Sequence, residues 1–65
     1  MENLYEIKNL TSKGFYMLEE DEKQITMVDR FANFVEYLKG TETFYFNGKE
    51  HSMKNLNTII EAEVA

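Results

Sequence analysis

The chain has no cysteine, no proline and no tryptophan, a single histidine, and only three glycines in 65 residues. Without cysteine there can be neither a disulfide framework nor a thiolate metal site, the staples that many miniature domains use. Gly14, Gly40 and Gly48 stand too far apart to form a phosphate-cradling loop, and each suits a turn or a helix cap instead. No apolar run approaches the roughly 20 residues of a membrane helix. Met1-Glu2-Asn3-Leu4 lacks the basic start and apolar block of a secretory leader, so the expected location is the cytoplasm. Asn9-Leu10-Thr11 matches a glycosylation sequon, a pattern with meaning only in a secreted chain.

What is present suffices for one thin core. Hydrophobic residues make up 43% of the chain and aromatics 14%, enough to drive collapse. A chain this short buries only about 60% of the surface its unfolded form exposes, so one domain over residues 1–65 is expected, with no repeat or linker. Twelve acidic side chains against seven basic ones leave a net charge of −5. That balance opposes direct binding to a phosphate backbone or an anionic membrane and favours a protein partner with a basic surface.

Residues 4–10 alternate imperfectly, with Tyr5 and Ile7 on one side and Leu4, Glu6, Lys8 and Leu10 on the other, a pattern that suits a strand better than a helix. Thr11 to Gly14 reads as a turn. Phe15-Tyr16-Met17-Leu18 follows as a second strand with bulk on both faces, expected to be central or doubly covered, and Glu19-Glu20-Asp21-Glu22 as a solvated loop. Met27, Phe31, Phe34 and Leu38 fall three or four apart, with Val28 and Val35 beside them, and predict a helix over about residues 26–39. Thr26 would cap it, Asp29 would complete a capping box, and Lys39-Gly40 would close it.

Asn47-Gly48 supplies the two positive φ angles of a type I′ hairpin turn. In that register Phe46 pairs with Lys49 and Phe44 with His51 on one face, while Tyr45 faces Glu50 on the other. From residue 54 onward Leu56, Ile59 and Ile60 fit a helix, whereas Thr58, Ile60, Ala62 and Val64 fit one face of a strand; a short turn over 54–57 and then a strand is the favoured reading. The fold class that results is α+β, an antiparallel sheet of four or five strands with one main helix packed on one face, in the order β-β-α-β-β-(β).

One helix covers one face of a sheet, yet residues 15–18 and 44–46 place large side chains on both. Tyr5, Ile7, Tyr16, Leu18 and Tyr45 are the candidates for the second face, to be covered by the tail, by a second copy in a homodimer, or by a foreign protein.

Catalysis is hard to assemble. His51 sits between Glu50 and Ser52, but strand neighbours point to opposite faces, so the triplet cannot act as a triad, and a histidine packed on Phe44 is expected. No metal-ligand spacing and no cofactor motif is present. Aromatic strands can stack RNA bases, but the scattered lysines and arginine form no basic stripe to hold the backbone. A non-catalytic interaction module remains, with Tyr16, Glu19, Glu20, Asp21, Glu22 and Tyr45 as its contact residues. In size and composition, and in nothing more specific, the chain resembles the short acidic inhibitors encoded by phages and mobile elements. That resemblance implies a bacterial protein partner whose basic, nucleic-acid-binding site is occupied. The alternative is a homo-oligomeric structural or accessory protein.

Overall fold

The computed structural model describes residues 2–64, with side chains described for residues 4–63. Met1 and Ala65, the ends of the expected domain, and the side chain of Val64 lie outside the described residues. Helix α1 (Glu2–Lys8) runs on into a 3₁₀ turn at Asn9–Lys13. Five strands follow, β1 (Tyr16–Glu20), β2 (Gln24–Val28), β3 (Phe34–Leu38), β4 (Thr43–Phe46) and β5 (Lys49–Ser52). A second 3₁₀ turn at Met53–Asn55 then leads into helix α2 (Leu56–Val64). The strands form one antiparallel meander in the order β1-β2-β3-β4-β5. The α+β class therefore holds, with a helix at each end rather than one in the middle.

The strand expected over residues 4–10 is helical because Leu4, Ile7 and Leu10 recur every third residue. Ile7 and Leu10 are buried, Leu4 packs against the core, and Tyr5 points to solvent at 69% exposure. Gly14, at φ 95°, closes this segment in the left-handed conformation, with its N–H donating to the Thr11 carbonyl and the Phe15 N–H reaching back to Leu10. That is a Schellman cap, and its hydrophobic partners Leu10 and Phe15 both enter the core.

The helix expected over residues 26–39 is instead the β2–β3 hairpin. The apolar residues that looked like one helical stripe are divided: Met27 is buried in the core, Phe31 sits at the hairpin tip, and Phe34 and Leu38 lie on the opposite side of the sheet. Ile25, Thr26, Val28 and Val35 are β-branched and stiff at χ1, which favours the pleated conformation. Their neighbours alternate strictly in β3, where Val35 and Tyr37 are buried and Phe34, Glu36 and Leu38 are exposed. Thr26 accordingly is a mid-strand residue and not a cap, Asp29 braces a turn, and Lys39-Gly40 lies in the β3–β4 turn with Gly40 at φ 88°.

The β4–β5 hairpin forms as expected, with Phe46 opposite Lys49, Tyr45 opposite Glu50 and Phe44 opposite His51. Asn47 and Gly48 take φ of 52° and 87°. The tail is a helix and not a strand: Leu56 and Ile60 are buried and Ile59 packs beside them, while Thr58 and Ala62 are exposed.

One apolar cluster joins Ile7 and Leu10 from the first helical segment and Leu56 and Ile60 from α2 to Ile25, Met27, Val35, Tyr37, Phe44 and Phe46 on the sheet. The Tyr37 hydroxyl, buried with its ring, donates to the Thr41 carbonyl at 2.9 Å. Phe44 is fully buried at the centre strand pair, so Phe44→Ala is expected to cost about 3–5 kcal/mol. Phe31→Ala, at a position 65% exposed, is expected to cost less than about 1 kcal/mol. Urea midpoints of the two variants compared with the parent chain check both expectations.

Candidate interaction surface

Both helices contribute to the same cluster, so the register defines an opposite, uncovered face. Its first row is Tyr16, Val28 and Phe34. The second is Glu19, Thr26, Glu36, Tyr45 and Glu50, and the third holds Gln24 and Leu38, followed by Thr43 and Ser52. Val28 and Thr26 are buried on this face, outside the cluster that the helices cover. Tyr16 and Leu18 are each 54% exposed, Leu38 is 46% and Phe34 39%. Leu18 is the unpaired residue of a β-bulge between Met17 and Glu19. The face is thus neither apolar nor polar but interleaved, with aromatic and aliphatic groups between carboxylates.

The sequence-predicted contact residues divide between this face and its rim. Tyr16, Glu19 and Tyr45 share the open face. Glu19 and Glu20 belong to strand β1 and not to a loop, and β1 is an edge strand with every residue exposed, not the central or doubly covered strand expected. Glu20 pairs on the other side of the strand with Ile25, and its carboxylate meets Lys39 Nζ at 3.1 Å and Lys8 Nζ at 3.5 Å. The hydrogen bond from Lys39, aided by both positive charges, holds its pKa below the ordinary glutamate value. Asp21 accepts the backbone N–H of Lys23 at 2.7 Å and of Gln24 at 2.9 Å, bonds that lower its pKa and shape the β1–β2 turn. Glu22 is exposed in that turn. Of the other apolar candidates for the second face, Ile7 is core and Tyr5 lies on α1, while Leu18 and Tyr45 remain with the sheet.

Phe34, Glu36 and Leu38 were hidden inside the expected helix. The alternation that places them, with Val35 and Tyr37 buried and Phe34, Glu36 and Leu38 exposed, is one of burial and not of residue type, since four of the five residues are apolar. His51 packs on Phe44 with ring centroids 5.5 Å apart, and Glu50 and Ser52 lie on the other face. Among the described residues, no group of three or more histidine or acidic side chains is placed to hold a metal ion, and no helix is long and apolar enough to cross a membrane.

One end of the open face is held by a polar brace. Asp29, 4% exposed, accepts the N–H of Phe31 and of Asn33 at 2.9 Å each, and the Asn33 side-chain amide at 2.9 Å. Asn47 joins the two hairpin tips: its Oδ1 accepts the Phe34 N–H at 2.7 Å and its amide reaches Asn33 at 3.2 Å. The loop between carries Arg30 over the Phe31 ring at 5.1 Å and sets Ala32 at φ 67°, a left-handed position normally filled by glycine or asparagine.

Comparison with family models, with curated proteins and with solved structures finds no match for this chain. The surface must therefore be read from its own chemistry.

Burial on its own would raise the Asp29 pKa, but the Asn33 amide and the N–H groups of Asn33 and Phe31 outweigh it and hold the carboxyl below the ordinary aspartate value. Because the folded value lies below the unfolded one, the stabilisation is complete above about pH 5 and is lost as pH falls below about 4. Asp29→Ala is expected to cost about 1–3 kcal/mol at neutral pH, with the difference from the parent chain narrowing in acid; urea melts across pH check this. Ala32→Gly relieves the left-handed alanine and is expected to raise stability by about 1 kcal/mol in the same assay.

Proposed function

We propose that the chain is a non-catalytic protein-binding module whose open sheet face docks onto a basic surface of a cytoplasmic partner. The observation that carries this reading is the placement of Glu19, Glu36 and Glu50 in one cross-strand row with Tyr45, flanked by the exposed rings and aliphatic groups of Tyr16, Phe34 and Leu38. Exposed aromatic groups are the anchors of protein interfaces, and a row of like charge selects the sign of the partner. Lysine-rich or arginine-rich faces are commonest where a protein holds nucleic acid, so a partner's nucleic-acid groove is the natural counterpart and its blockage the expected consequence. This is the behaviour of a small acidic inhibitor, of the kind that phages and mobile elements encode. A second copy laid on the same face brings glutamate rows together, and the like charges oppose that homodimer.

The test is capture from bacterial lysate by the immobilised chain, with Glu36→Lys/Glu50→Lys and Tyr5→Ala variants alongside. The expected partner is lost from the double charge reversal, retained by Tyr5→Ala, released as salt rises past physiological strength, and displaced by added DNA or RNA. Retention of the same partner by the charge-reversed face would overturn the reading, and a partner indifferent to nucleic acid would remove the inhibitory role.

A further inference from the structure

The open face is not uniform. Gln24, Glu36, Leu38 and Tyr45, with Tyr37 beneath, line a shallow groove of about 190 Å³ between strands β2, β3 and β4. Glu36, Tyr45 and Gln24 all border it, and among the described residues the side chain of none of the three has a hydrogen-bond or ion-pair partner. Three of the six lysines are paired away from the groove, Lys8 and Lys39 with Glu20 and Lys13 with Glu61. Tyr45 and Gln24 are half-buried, so their positions are set by packing more than by solvent.

Resting on the docking face proposed above, we infer that this groove is a socket for one arginine side chain of the partner. Each wall matches a part of that side chain. The carboxylate of Glu36 accepts the paired N–H groups of a guanidinium, the Tyr45 ring offers a flat face for it to stack on, and Leu38 lies against the aliphatic stem. The Gln24 carbonyl oxygen can accept one further N–H. A lysine fills the same space with a point charge that neither stacks nor pairs in two places, so the socket distinguishes the two cations.

The probe is N-acetyl-arginine amide, titrated into the ¹⁵N-labelled chain and followed by two-dimensional NMR, with N-acetyl-lysine amide as the comparison. Arginine amide is expected to move the resonances of Gln24, Glu36, Leu38 and Tyr45 in a saturable manner, and lysine amide to move them much less. In Glu36→Gln, an exposed and nearly isosteric change, the arginine response should fall to the level of lysine; in Tyr45→Leu it should weaken while the fold is retained, as judged by the remaining resonances. Equal responses to the two amides, responses of the same size at Glu19, Glu50 and Glu61, or no response at all would each overturn the socket. Such a failure leaves the docking reading standing if lysate capture still depends on Glu36 and Glu50, and only loss of that dependence removes both.

Discussion

The packing of Ile7, Leu10, Leu56 and Ile60 onto Ile25, Met27, Val35, Tyr37, Phe44 and Phe46 decides which side of the sheet is inside. Helical segments from both ends of the chain are needed to cover one face of five strands, and no third layer comes from the described residues. A sheet covered on one side must present its alternate residues to the outside, and in this chain those residues are not the uniformly polar set that a solvent-facing antiparallel sheet ordinarily carries. Tyr16, Phe34, Leu38 and Tyr45 stand among glutamates because the alternation of the strands puts them there.

Charge within the molecule is distributed to the same effect. The ion pairs lie along the β1 edge and near α2, where Lys8 and Lys39 converge on Glu20 and Lys13 approaches Glu61. Solvent-exposed pairs of this kind contribute little to stability. Their more important consequence is that the glutamates of the open face keep their full negative field, while Glu20 and Asp21, part of the most acidic stretch of the sequence, are occupied by internal partners.

The parts of this architecture legible in the sequence are those fixed by local chemistry. Asn47-Gly48 dictates its own turn, and the hairpin register with the Phe44–His51 contact follows from it. The segment 26–39 misleads because Met27, Phe31, Phe34 and Leu38 imitate a helical stripe, while the five-residue connection over 29–33 that reverses the chain contains no glycine or proline to announce itself. Asp29 and Asn33 build that loop with side-chain bonds, and Ala32 adopts a left-handed φ that its residue type does not advertise. The terminal segments are short enough that a helix and a strand differ by one or two apolar positions, and tertiary burial of Ile7, Leu10, Leu56 and Ile60 settles the choice. For the surface, Tyr16 and Tyr45 were legible as strand residues and Glu19 only as part of an acidic run, while Phe34, Glu36 and Leu38 could be recognised only once β3 was known to be a strand.

The bulge in β1 has a consequence for the solubility of the molecule. An outermost ribbon with free amides and carbonyls is a template onto which other chains can add, and Tyr16-Met17-Leu18 is apolar enough to invite such growth. The extra residue at Leu18 breaks the regular spacing of those groups, and Glu19 and Glu20 bring charge to the next two positions. The ribbon's rim is therefore a poor seed for fibrils, and the molecule can keep greasy groups on display without stacking into filaments.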